Sequence, residues 1–169
     1  TWYSKSVIKL PLVYYTISKE QLRTDFANNT LIDIDDKVWL DGAVIVNDKI
    51  YPKASNPKDN ISNYITRTLR DSHNTAYVNL CLQYATKSGF QSWLGKVIGN
   101  KGHTMYSCWQ NGVTVKDAYA WLAYIKKDTE NLRNLNNGKE ILEVMWRAAA
   151  NCTTGGMNEY VSDKFNVYN

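Results

Sequence analysis

Between Asn56 and Lys87 the chain repeats its apolar and polar residues at helical spacing, and this stretch limits the possible folds more than any other. Asn56-Pro57-Lys58-Asp59 supplies a helix start. Asn caps, Pro suits the first position because its missing N–H has no partner there, and an acid favours the positive end of the helix. Within 63-NYITRTLRDSHNTAYVNLCLQYA-85, Ile65 and Leu69 share one face, whereas Asn63, Arg67, Arg70 and Asn74 recur on the opposite one. The pattern predicts one helix from Pro57 to about Lys87, stopped by Ser88-Gly89.

The rest of the chain is read around that helix. Residues 1–17, TWYSKSVIKLPLVYYTI, are rich in β-branched and aromatic types, with Pro11 in their middle, which predicts an extended N-terminal arm lying on a neighbouring subunit. Ser18-Lys-Glu-Gln21 has the form of a capping box and opens a short helix through Phe26, ending at Asn28-Asn29. A small β-element is expected over about 37–50, with turn signals at Asp41-Gly42 and Asn47-Asp48. Shorter helices are expected at 90–98 and 103–110. A second capping box, Thr114-Val-Lys-Asp117, opens AYAWLAYIKKDTENL, and a last helix covers 139–152. Residues 156–169 show neither helical nor alternating pattern and read as an extended C-terminal tail. The expected fold is therefore mainly α, a helical core over 18–155 with a small β-element and extended arms at both ends.

Motifs for catalysis are missing from the sequence. His73 and His103 are the only histidines and have no metal-ligand spacing, and Cys81, Cys108 and Cys152 form no CxxC. These cysteines read as buried thiols. No glycine-rich phosphate loop or GxSxG elbow occurs, and the acids of 33-DIDD-36 read as a solvated turn rather than a cation site. The expectation is a protein that is not an enzyme and uses no cofactor or metal. No apolar run reaches membrane-spanning length, so no membrane partner is expected.

Lys and Arg total 20 against 16 Asp and Glu, a mild basic excess that accompanies six Trp and twelve Tyr. Aromatic faces stack on bases and guanidinium groups hold phosphate, so the composition is compatible with a polyanion partner. The Arg67–Arg70 stripe then has two readings, a solvated helix face or a phosphate-binding one.

The run 28-NNTLIDIDDKVWLDG-42, then Tyr51-Pro52, then 65-ITRTLRDSHNTAYVN-79, resembles the order of landmarks in the coat proteins of potyvirus-like flexuous filamentous plant viruses. These are an Asn-Gly-Thr-type turn, a Trp followed by Asp-Gly, a Tyr-Pro and a helix opening with Thr-x-Arg. AYAWLAYI before WRAAAN is similar to the end of that core. The resemblance covers roughly residues 18–155. It implies a coat protein that polymerises into a helical filament around single-stranded RNA, linked by its N-terminal arm, found in the virion and in host cytoplasm during assembly. The family's RNA groove uses a hydroxyl residue, an arginine and an aspartate. The arginine carries over onto Arg67, with Arg70 one turn further. Leu31 stands where the family has serine, so Thr30 would supply the hydroxyl. AYAWLAYI contains no acid, which leaves Asp117, just before it, as groove residue or simple helix cap. Two other readings stay open, a filament coat wrapping double-stranded DNA and an enzyme or toxin domain of unrecognised type.

Overall fold

The computed structural model describes residues 5–33, 45–46, 49–50, 58–85, 87–99 and 114–151. These are mostly helical, as the sequence predicts, with short strand pairs only. The element that organises them lies where an extended arm was expected. Lys5–Ile8 form a 3-10 turn that runs into helix α1, Lys9–Ile17, and every residue of α1 is buried. The N-terminal arm of 1–17 is therefore corrected, from Lys5 onward, to a core helix. Pro11 does not prevent this, because it occupies the third helical position, where a backbone N–H has no partner within α1. A helix apolar all round has no amphipathic period to detect, and such helices belong in protein interiors.

Around α1 stand α2 (Glu20–Ala27), α3 (Ile61–Arg70), α4 (Asn74–Tyr84), α5 (Lys87–Ile98), α6 (Val115–Arg133) and α7 (Gly138–Ala150), and α1 packs against each of them. Two apolar clusters result, one on either side of it. Leu10, Val13, Tyr14 and Ile17 join Leu22, Ile61, Ile65, Leu69, Ile141 and Met145, while Ile8, Leu12 and Tyr15 join Tyr77, Cys81, Phe90, Leu94 and Trp121. Cys81 is thus a buried thiol, as expected; Cys108 and Cys152 lie outside the described residues. Polar ties fix the helix in place. The Tyr14 hydroxyl donates to Asp128 on α6 at 3.0 Å, and buried Arg23 donates from Nη1 to the Ile17 carbonyl at 2.8 Å, satisfying an end group of α1.

The long helix expected over 57–87 is three pieces. Lys58–Asp59 is not helical: it pairs antiparallel with Ile32–Asp33, so strand β4 (Lys58–Asp59) lies beside β1 (Ile32–Asp33) in the register Ile32 to Asp59. Asn60, rather than Asn56, caps α3, accepting a hydrogen bond from the Asn63 amide. The helix then breaks at Asp71-Ser72-His73, where Ser72 adopts φ +52°, left-handed and unfavourable for a residue with a Cβ. Lys9 explains why the break is tolerated. Its buried ammonium donates to the Ser72 carbonyl, to the Ser72 hydroxyl at 3.0 Å and to Asn74 Oδ1 at 2.7 Å. Asn74 therefore belongs to an interior network and not to the outer stripe. Ser88-Gly89 does not stop a helix but lies in the first turn of α5, whose end is marked by Gly99 at φ +68°.

The other expectations divide by position. Strands β2 (Ile45–Val46) and β3 (Lys49–Ile50) pair antiparallel within the span expected to be β, and the capping box at Thr114 is formed; Asn47-Asp48 lie outside the described residues. In α2, Lys19 takes the cap position without a side-chain bond and the Ser18 hydroxyl donates to the Tyr15 carbonyl instead, so no capping box forms there. The Asp41-Gly42 turn, the helix at 103–110, His103 and the tail at 156–169 lie outside the described residues.

Two outcomes test this architecture. Replacing Leu12, fully buried between α1 and its neighbours, with Ala should lower unfolding free energy by roughly 2–5 kcal/mol in urea denaturation, whereas an arm residue would cost nothing in a monomer. Gly138, at the tight α6–α7 turn, admits no side chain: a Cβ there would stand 2.0 Å from the Leu132 carbonyl oxygen. Gly138→Ala should destabilise by roughly 1–3 kcal/mol through the backbone shift it forces, seen as a lowered thermal midpoint.

Candidate nucleic-acid interface

The β1–β4 ladder and the first turns of α3 build one corner of the molecule. Asp59 closes the ladder, and its carboxylate accepts from the Asn60 amide at 2.9 Å and from Asn63 Nδ2 at 2.6 Å. Its other oxygen lies 3.4 Å from Arg67 Nη1. Tyr64, one residue beyond Asn63, donates its hydroxyl to the Ile32 carbonyl at 3.1 Å and locks the ladder to α3 from the buried side. The polar stripe thus has a physical origin: Asn63 and Arg67 both reach the buried Asp59 carboxylate at the start of α3, while Ile61, Tyr64, Ile65 and Leu69 enter the core.

The two arginines differ. Arg67 keeps 27% of its side-chain surface exposed, against 11% for Asp59, and contacts the carboxylate through one nitrogen at a distance too long for a strong hydrogen bond. No other partner of the guanidinium is found among the described residues. Arg70 is closed on a different acid, Asp71, by a bidentate pair at 2.7 and 2.9 Å. That hydrogen-bonded fork raises the Arg70 pKa and holds the Asp71 carboxyl below the usual carboxylate range. Both groups lie near solvent, where such pairs add little stability. Both arginines also occupy the last turn of α3, where positive charge complements the helix dipole.

Thr30 is exposed and sits two residues before Ile32, the ladder partner of Asp59; its amide donates to the Asp25 carbonyl at 2.9 Å. The fold therefore carries Thr30 to the rim of the strand pair that seats Asp59. Asp117 is held elsewhere. Its carboxylate accepts from the Thr114 amide at 2.8 Å and its amide donates to the Thr114 hydroxyl at 3.1 Å, a complete capping box on α6. The aspartate that stands against Arg67 is Asp59, which the sequence reading assigned to a first helical turn.

His73 caps α4, its Nδ1 accepting from the Ala76 amide at 3.2 Å, and its own amide donates to the Arg67 carbonyl at 3.0 Å. Burial lowers its pKa, helped by the charges of Arg67 and Lys9 and opposed by Asp71. Among the described residues no cluster of His, Cys, Asp or Glu could hold a metal ion, and no helix is long and apolar enough to cross a membrane. Comparison with protein-family models, curated proteins and solved structures finds no match.

Protonating His73 removes the acceptor that caps α4, and its folded-state pKa lies below the ordinary 6.5. The unfolded chain then takes up the proton first, so stability is complete above that value and falls as the pH drops through the folded pKa. The Asp71 contribution is lost further into acid, below the usual 3.8. His73→Asn retains a capping side chain without the titration. Thermal midpoints of the two proteins should diverge as the pH falls from about 7.5 to about 5, the wild type losing more; parallel curves would exclude His73 as the titrating cap.

Proposed function

We propose that this chain is a coat subunit that assembles into a helical filament and packages single-stranded RNA by its backbone, in the virion and, during assembly, in host cytoplasm. The observation that carries the reading is the seating of Arg67. One nitrogen of its guanidinium stands 3.4 Å from the Asp59 carboxylate and the side chain keeps 27% of its surface exposed, beside the strand pair whose rim bears Thr30. A guanidinium seated in this way presents a planar pair of donors to a phosphate and holds charge without reading bases, which a coat that covers a whole genome requires. The order of sequence landmarks and the mainly helical fold support the same reading. Arg70 would first exchange its bond to Asp71, making it the weaker contact, and Asp117 acts as a helix cap. Ile8–Ile17 is buried within the subunit, so these residues do not form an extended arm for assembly.

The double variant Arg67→Ala/Arg70→Ala tests this. Neither side chain enters the apolar clusters, so the subunit should fold, while loss of one or two charge-assisted contacts of about 1.5–3 kcal/mol each leaves particles empty or absent. Electron microscopy with the ratio of absorbance at about 260 to 280 nm reads both. Full RNA packaging by the folded variant would return the stripe to a solvated helix face.

A further inference from the structure

The outer face of α6 sorts its charges. Three acids lie on this helix, and each is engaged locally: Asp117 in the capping box, Asp128 by Tyr14 and by Asn131 Nδ2 at 2.9 Å, and Glu130 by Arg133 at 3.3 Å. Lys116, Lys126 and Lys127 are exposed and make no ion pair among the described residues. Between Lys116 and the Lys126-Lys127 pair stands Tyr119, 72% exposed and facing outward, with the small Ala123 one turn further along. Spacings of 3, 4 and 7 residues put Lys116, Tyr119, Ala123, Lys126 and Lys127 on one side of the helix, away from buried Trp121, Ile125 and Leu132. From Lys116 to Lys127 the face runs about 16 Å.

We infer that this face of α6 is a second contact for single-stranded nucleic acid, in which Tyr119 stacks on a base and Lys116, Lys126 and Lys127 hold the flanking phosphates. Exposed lysines alone are ordinary on a solvated helix. What favours a polyanion is that the three lysines make no ion pair among the described residues while the three acids of the helix are engaged locally, and what favours a single strand is an outward ring placed among them, since a duplex keeps its base faces stacked and out of reach. Ala123 leaves room for a base to approach the ring. The inference rests on the reading of the chain as an RNA-binding coat, but names a surface on a different helix from Arg67.

Fluorescence anisotropy with a labelled oligouridine and a duplex of the same length, over a series of salt concentrations, decides it. Tyr119→Ala should weaken binding of the single strand at least about fivefold, with Tyr119→Phe restoring it. Lys116→Gln/Lys126→Gln/Lys127→Gln should lower the slope of log affinity against log salt by about 2, at roughly 0.7 per lost phosphate contact. Lys96→Gln/Lys139→Gln, which changes exposed lysines on α5 and α7, should leave the slope near the wild-type value. Unchanged binding by the α6 variants, with loss in Arg67→Ala, overturns this face and leaves the coat reading standing. The reverse pattern supports the face and removes Arg67 from the interface. A wild-type protein that binds neither probe overturns both. Equal affinity for the duplex overturns the stacking role, and α6 variants that lose self-association while keeping RNA binding turn the surface into a protein contact and overturn the inference.

Discussion

Burial of α1 is the constraint on which the other elements depend. Nine consecutive residues, Lys9–Ile17, are buried, and this helix contributes side chains to both apolar clusters. Such a helix cannot form alone, because neither propensity nor an amphipathic face stabilises it; packing by its neighbours does. The one charge it carries sets the next level of structure. An ammonium taken out of water must be bonded, and Lys9 obtains carbonyl, hydroxyl and amide oxygens from Ser72 and Asn74. That requirement accounts for the left-handed Ser72 and for the break between α3 and α4.

The same break shapes the surface. With α3 ending at Arg70, the outer stripe is limited to Asn63, Arg67 and Arg70, and the turn after it brings Asp71 against Arg70 and the His73 amide onto the Arg67 carbonyl. At the other end of α3 the β1–β4 ladder supplies Asp59. Arg67 thus has its carbonyl bonded by the turn and its guanidinium 3.4 Å from the Asp59 carboxylate, while Arg70 is closed on its neighbour. A guanidinium held by a neighbouring carboxylate loses less entropy on meeting an anion than a freely solvated one.

Much of this was legible in the residues, and the failures have physical causes. The capping box of Thr114 with Asp117 and the polar face of α3 that carries Arg67 could be read, because their signals lie within a few residues, although the same kind of signal at Ser18 forms no box. Long-range facts could not. Pairing of Asp59 with Ile32 converted a convincing helix start into a strand, and only tertiary packing tells that Lys9 needs Ser72. An apolar run with a proline reads as an arm when its partners are unknown, although the same features suit the first turn of a buried helix. For the candidate site, Arg67 and Thr30 could be named from the sequence; that Asp59 stands beside Arg67 could not, since its place depends on the pairing of Ile32 with Asp59, with 26 residues between them.

The proposed coating of single-stranded RNA as a filament is tested most directly on particles purified from cells expressing the full chain. Negative-stain microscopy should show flexuous filaments, and nucleic acid extracted from them after nuclease treatment of the intact particles should be destroyed by ribonuclease and resist deoxyribonuclease. A monomeric protein free of nucleic acid, or filaments whose extracted genome is cut only by deoxyribonuclease, would contradict the account.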